Sequence, residues 1–587
     1  MLGFLALSFL IFGNGITGSF VLDDVAVIEN RGELKEAGGF FDLFVSPYHQ
    51  NMPKSGLFRP LTMASYSLNY LIFGSSPVSF HVINIIIHGL NSFLVFWLVK
   101  YFLKSRTLAY LASLLFLFHP IHTEAVTSIV GRAELLAFLF SLVSVYFISK
   151  NKKILAAVAF FMGLVSKETT LMILPIIFYL DLAFKNKSWR EILSDNLFFI
   201  FPAVIYSFLR YLALGEYFVT GATTTIVENP LKFMAFPERI FTALEVLFIY
   251  FKKILWPVHL SADYSYNTIP VVKNIFGSPA SLIGLLILGV IVVMLVWRKT
   301  RGTGFGLAAA MFLFPYLIIS NIFLPIGTIM GERLMYFPSL GLVVVLAVLF
   351  NFVFRKQGFY KKAGYSIVAI ILVFYGARTV IRNKDWRNNE TLFKAAAAES
   401  PNSLLTRTGL GAVYIRKDEW GKAEEQLTIA RNIHEDNSHL QNLLGILEDH
   451  KGNFKLAEER FKRSIELNSD AINAYINLAE LQIKQQRFKE AGENFLKVID
   501  FTPVFKYVLR YAFIQIAIGQ PDEAIKFIEE KYGQNFSHPD LNLVMGNAYF
   551  VKEDYGQAVY YLEKSKNSVN FNAEAAKMLE ISKSLKN

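Results

Sequence analysis

Apolar runs close to the length that crosses a bilayer recur through the first two thirds of this chain, and short basic loops separate them. In hydrocarbon each backbone N–H and C=O must find a partner within its own segment. Runs without period-2 alternation therefore have the helix as their solution. The runs are 2–16, 81–103, 108–118, 133–149, 154–165, 170–183, 197–214, 281–297, 306–319, 334–354 and 364–381, which predicts eleven spans. Several are shorter than the ~20 residues of a full crossing, which suggests helices that start or stop in a water-accessible cavity. The opening run lacks a basic leader and a small-residue cleavage site, so it reads as a short first span and not a signal peptide.

Beyond about Trp386 charged and amide residues dominate and no spanning run remains. The chain is thus expected to divide near residue 382, into a membrane domain 1–382 and a soluble domain 383–587. The net charge of +11 does not imply a nucleic-acid partner, because the basic residues sit in interhelical loops and not on one face. Lys104/Arg106, Lys150/Lys152/Lys153, Lys185/Lys187/Arg190, Arg298/Lys299/Arg301 and Arg355/Lys356/Lys361/Lys362 all fall on one side, which the positive-inside rule makes cytoplasmic. Alternation then predicts a cytoplasmic N-terminus, with the loop after residue 16 and everything after Ile381 outside. The segment 237–256 is apolar but carries Glu238, Arg239, Lys252 and Lys253, so it reads as interfacial or re-entrant on the outer face. The chain has no cysteine, which removes disulfides, thiolate ligands and a thiol nucleophile.

The C-terminal part has an internal period. Gly411, Gly445 and Ala479 are spaced by 34 residues, as are Ala423, Ala457 and Ala491. That is the tetratricopeptide period, in which small residues let paired helices approach and aromatics fill the groove between them. Weaker copies follow around Ala512 and Ala524, and at Gly546 and Ala558. The fold class expected is all-α, a polytopic membrane helical bundle followed by a tetratricopeptide α-solenoid. The first helices of such an array line a concave face suited to a peptide, and Tyr414, Glu448, Gln482 and Tyr549 are the residues expected to bind it there.

The chemistry-bearing stretches collect on the predicted outer side. Asp23 and Asp24 follow the first apolar run directly. A paired carboxylate at that depth can hold Mg2+ or Mn2+, can supply a base, or can simply N-cap the next helix. His119, His122 and Glu124 invite a zinc site, but Pro120 breaks the helix that would align them and no third ligand is evident. Arg333, next to Glu332 and directly before a span, suits a phosphate at headgroup depth, where its fork can bind two oxygens.

Gly18–Asp24, Phe58–Thr62 with Phe80–His88, His119–Val126 with Gly131–Glu134, Lys167-Glu168, Gly331–Pro338 and Asp385-Trp386-Arg387 run in an order that resembles the transmembrane and tetratricopeptide-repeat O-mannosyltransferase family. That family is part of the GT-C glycosyltransferase superfamily. The His-Pro-x-His-Thr-Glu-Ala-Val stretch is the most specific part of the likeness. The resemblance implies an integral membrane enzyme with outward-facing repeats. Such an enzyme takes a sugar, mannose in the animal members, from a polyprenyl phosphate and passes it to Ser or Thr of a protein. It implies roles for Asp23 and Asp24, expected to be catalytic, then for Glu124, also expected to be catalytic, and Arg333; Arg59 and Arg132 join Arg333 as the expected cations for the donor phosphate. Single displacement with inversion is the reaction expected. Two other classes compete. A membrane-anchored repeat scaffold needs neither many spans nor the acidic pair. A transporter would carry internal repeats among its spans and ionisable groups at mid-membrane, and neither is seen.

Overall fold

In a computed structural model the described residues are 1–49, 53–219, 224–502, 504–533 and 537–586, and their regular structure is helical throughout. They divide into two compact units, Met1–Val413 and Tyr414–Asn587.

Five helices of the first unit are long and apolar enough to cross a membrane: Pro77–Leu103, Ile129–Ser149, Trp189–Phe218, Pro279–Val296 and Phe359–Arg387. Leu2–Gly15, Arg106–Phe118, Lys153–Leu164, Gly304–Ile319 and Ser339–Phe354 are shorter apolar helices, and Ile173–Phe184 is shorter still than a span needs. Five helices reach the length of a crossing where eleven spans are expected, and the other apolar runs form shorter helices. Pro77–Leu103 is the centre of this unit, with Leu2–Phe12, Arg106–Phe118 and Arg132–Ser149 packed along it. Small residues set the close approaches, as expected where helices associate by packing and not by exclusion of water. A Cβ at Gly341 would meet the Phe312 Cβ at 2.5 Å, and one at Gly89 would meet the Leu5 Cα at 3.1 Å.

Phe236–Leu255, the helix with the intrusive charges, packs along Pro279–Val296, with its Leu244 backbone against Gly284. Its Ile254 carbonyl accepts from His119 Nε2 (3.0 Å) and the Tyr375 hydroxyl (3.2 Å), and its Phe241 carbonyl accepts from the Ser281 hydroxyl (2.9 Å).

The compact units part at Val413, not near residue 382. After the last long helix, Asn389–Glu399 starts on a capping box from Asn388 and Thr391, and its Leu392 packs on Trp386 and Val21. The next turn is fastened to the segment around Asp263. Ser400 donates to the Asp263 carbonyl (3.0 Å), Ser403 bonds the Asp263 carboxylate, and the Leu404 N–H donates to the Tyr266 carbonyl (2.8 Å). Polarity of composition marked the end of the spans, whereas these tertiary bonds mark the end of the unit.

The second unit is a succession of antiparallel helix pairs, Ser438–His450 with Phe454–Leu467, Ile472–Lys484 with Phe488–Phe501, and Pro539–Val551 with Tyr555–Lys564. The small residues of the period do what the spacing implies. A Cβ at Gly445 would meet the Phe461 ring at 2.5 Å, and one at Gly546 would meet Leu562 Cγ at 2.6 Å.

Candidate active site

The acidic pair is divided by one backbone torsion. Leu22 sits in the left-handed region at φ 49, a conformation that costs a non-glycine residue on the order of 1 kcal/mol. The surroundings hold it there. The Leu22 N–H donates to Asn389 Oδ1 (2.9 Å), and the Ser19 N–H donates to the Arg387 carbonyl (2.9 Å). The turn sends Asp24 inward and Asp23 outward. Asp24 is fully buried, and its carboxylate accepts the backbone N–H groups of Val130 (2.8 Å), Val21 (3.2 Å) and Ile129 (3.4 Å). Burial pushes it up to about 7 against the pull of those three amides. It does not cap the helix that follows.

Asp23 keeps 56% of its side chain exposed and faces Arg333, with Nη1 at 3.3 Å and Nη2 at 3.4 Å from one carboxylate oxygen. Arg333, 36% exposed, is held from behind by Glu124. Its backbone N–H donates to Glu124 Oε2 at 2.9 Å, and its Nε lies 3.5 Å from Oε1. Glu124 is buried on the five-residue helix Thr123–Thr127, and desolvation raises it to about 7 despite the nearby guanidinium. The neighbouring Glu332 turns the other way. It pairs with the buried Arg382 (2.9 Å), accepts the Ser261 N–H (2.8 Å) and accepts the Tyr264 hydroxyl. Three stretches far apart in sequence thus meet as Asp23–Arg333–Glu124.

The other candidates have partners of their own. Arg59 forms an ion pair with Glu168 at 3.0 Å, and its guanidinium stacks 4.9 Å over the Tyr48 ring. Lys167 pairs with Glu134, both buried. Arg132 is not a phosphate ligand in this structure. Being the first residue of Arg132–Ser149 it points into the end of the bundle, and every face of its guanidinium is in use. It donates to Asn69 Oδ1 (2.8 Å), Asn84 Oδ1 (2.9 Å) and the Phe80 (3.0 Å) and Ser65 (3.2 Å) carbonyls, between the Tyr66 and Phe80 rings. His119 is spent on the Ile254 carbonyl and the Ile121 N–H, and His122 on the Ser339 hydroxyl at 2.8 Å.

The acidic pair does not fit Mg2+ or Mn2+ as a joint site. One carboxylate is filled by backbone amides and the other faces a guanidinium, so the two do not converge. Among the described residues no group of three His, Asp or Glu is placed to hold a metal.

In the repeats, the four residues expected on the concave face turn inward. Each lies three positions after a small residue of the period, which puts it on the same side of its helix, and that side packs on the partner helix. Gln482 is 3% exposed; it donates to Glu490 (3.4 Å) and accepts from Asn494 (2.8 Å). Tyr549 stacks on Tyr561 with ring centroids 5.5 Å apart, Glu448 accepts from Asn453 (2.7 Å), and Tyr414 is buried against Lys422. Adjacent first helices are instead joined by Lys484–Asp449 (2.6 Å), Arg510–Glu480 (2.8 Å) and Asn477–Asn442 (2.8 Å).

Sequence reasoning missed Tyr48. Its ring packs with Val27, Ile28 and Leu43 beneath Arg59, yet it stands in a loop whose only signal is an aromatic before Phe58-Arg59-Pro60.

Fold and site together define a class, an all-helical polytopic membrane bundle with an acid–arginine site at one end, joined to tetratricopeptide repeats. The sequence model of a family described as "Protein O-mannosyl-transferase TMTC, DUF1736" matches residues 222–291, and a tetratricopeptide model matches 472–505. The human protein named Protein O-mannosyl-transferase TMTC3 is 24% identical over 658 residues, covering 95% of this chain and 70% of its own. The Caenorhabditis elegans Protein O-mannosyl-transferase F38B6.6 is 27% identical over 427 residues, covering 70% of this chain and 59% of its own. These matches bear out the resemblance to the transmembrane and tetratricopeptide-repeat O-mannosyltransferase family. Among solved structures, the tetratricopeptide protein YrrB aligns with 32% of this chain and 97% of its own at 16% identity, with a TM-score of 0.29, too low to carry an argument.

Proposed function

We propose that this chain is a membrane protein O-mannosyltransferase that moves mannose from a polyprenyl phosphate to Ser or Thr of a protein, at the outer membrane surface. The observation that carries the reading is an exposed carboxylate, Asp23, set against a guanidinium, Arg333, that a buried carboxylate, Glu124, holds from behind. A phosphate arriving at Arg333 competes with Asp23 for the fork, which frees that carboxylate beside the sugar. The acceptor oxygen then attacks the anomeric carbon as the carbon–oxygen bond to the phosphate breaks. The hydroxyl proton passes to Asp23, and the leaving phosphate keeps its charge against Arg333. Attack from the face opposite the phosphate inverts the anomeric centre. A positioned base is worth roughly 10²–10⁴ in rate. Asp24 keeps the loop in shape.

The five basic clusters and the alternation of helices support a cytoplasmic N-terminus with the acidic loop and the repeats on the opposite side. On this topology the repeats hold the acceptor near the site. The test is transfer of labelled mannose from mannosyl polyprenyl phosphate to protein by the purified full-length chain in vesicles. Transfer that is lost in Asp23→Asn bears the reading out. No transfer by the unmodified protein, with the repeats still capturing proteins, returns it to the scaffold class.

A further inference from the structure

Arg59, Lys167 and Arg333 are already matched by carboxylates: Arg59 by Glu168, Lys167 by Glu134, and Arg333 by Asp23 and Glu124. A phosphate entering here gains less from charge than three cations suggest, and a neutral donor among them becomes important. Tyr48 is fixed as such a donor. Its backbone N–H donates to the Leu57 carbonyl at 2.8 Å, and its carbonyl accepts from Arg31 Nη1 at 2.5 Å. Arg59 lies 4.9 Å over one face of the ring, and Val27, Ile28 and Leu43 pack around it. The ring is 4% exposed, yet the hydroxyl bonds to no described residue and is not sealed from solvent.

From this geometry we propose that Tyr48 is a further donor-binding residue, whose hydroxyl donates a hydrogen bond to an oxygen of a phosphate ester seated between Arg59 and Arg333. The proposal rests on the transfer reading above. The hydroxyl of a ring held this firmly is open to solvent, where a ligand oxygen can take the place of water. The charges of Arg59, Asp23 and Arg333 all act on that hydroxyl, which lies within the field of both arginines. Burial raises the phenol to about 12, so it stays protonated and can donate throughout the physiological range.

Tyr48→Phe in the full-length protein removes the hydroxyl and keeps the ring under Arg59. A hydrogen bond to a charged group that is made equally in ground and transition states changes KM and leaves kcat. The KM for mannosyl polyprenyl phosphate should rise about tenfold, and so should the inhibition constant of polyprenyl phosphate without sugar, with the acceptor KM unchanged. Unchanged values for both lipids overturn the proposal. Should Tyr48→Phe not be recovered folded, 3-fluorotyrosine at position 48 keeps the ring and makes its hydroxyl a stronger donor. Tighter binding of polyprenyl phosphate with unchanged binding of polyprenol supports the role, and no change for either lipid overturns it. If the unmodified protein transfers no sugar the transfer reading fails, while binding of polyprenyl phosphate by the two forms still decides the role of Tyr48.

Discussion

Asp23 and Arg333 stand 310 residues apart in the chain and 3.3 Å apart in the fold. The pair is partly solvated, and such pairs add little to stability, with about 0–1 kcal/mol typical. Its value lies in placing a carboxylate and a guanidinium at one opening, and that separates two neighbours which the sequence presents as equals.

Asp23→Asn should abolish mannose transfer with little change in melting temperature. Asp24→Asn should do the reverse in kind, because an amide nitrogen set among three backbone N–H donors leaves some of them unpaired, at about 1–3 kcal/mol each. Melting of purified single variants beside their transfer rates checks the split. Near-normal transfer by Asp23→Asn would remove Asp23 from the chemistry.

Arg132 and Arg333 separate in the same way. Arg132→Ala strips partners from the buried oxygens of Asn69, Asn84 and Phe80, and the protein should extract poorly. Arg132→Lys should not restore it, since an ammonium cannot reproduce the planar fork. Arg333→Ala should extract and melt normally and fail to bind the donor. Detergent extraction followed by donor binding distinguishes them.

The dependence on pH should carry opposite signs for activity and stability. Glu124, raised to about 7, must be ionised to hold Arg333, so donor-limited kcat/KM should climb with pH to about 7 and then level. In Glu124→Gln that inflection should vanish. For stability, Asp24 and Glu124 hold protons in the folded chain that the unfolded chain releases near 3.8 and 4.5. Their contribution is full below those values and is lost as pH rises through about 7. Melting temperature should therefore be lower at pH 8 than at pH 6, and a flat profile would count against the shifts.

Removing the repeats tests their role if the cut respects the unit boundary. A truncation at 402 deletes Ser403 and Leu404, which bond the Asp263–Tyr266 segment, and would damage the site by itself. A chain ending at Val413 should keep donor hydrolysis and transfer to a short peptide at high concentration, and lose most transfer to protein acceptors. That follows from an effective concentration near the millimolar range when the acceptor is held in place. Full transfer to proteins by the truncated chain would refute acceptor guiding.

The elements were legible wherever one local pattern decided them. Unbroken apolar runs gave the helices of the first unit, and the 34-residue period gave Gly445 over Phe461. Glu124 could be singled out by its His-Pro-x-His-Thr-Glu-Ala-Val stretch, and Arg333 because Glu332-Arg333 stands directly before a span. What the sequence could not tell was direction. Whether Asp23 or Asp24 faces outward is set by Leu22 and by amides at 129 and 130. Arg132 and Arg333 look alike until Asn69 and Asn84 are seen to enclose the first. Tyr414, Glu448, Gln482 and Tyr549 were assigned to the inner surface because the first helix of a pair faces it. Their register, three residues beyond the small position, aims them at the partner helix instead.

The staple between the acidic loop and residues 387–389 has a consequence for how the protein comes into being. Leu22 is kept in its unfavourable turn by Asn389, 367 residues further on, and Ser19 by Arg387, 368 residues further on. A nascent chain that has exposed Asp23 to its membrane therefore carries no shaped site until residue 389 has emerged. Fragments cut anywhere between 23 and 389 should be inert alone, and co-expressed halves divided in a loop between them should regain activity only together.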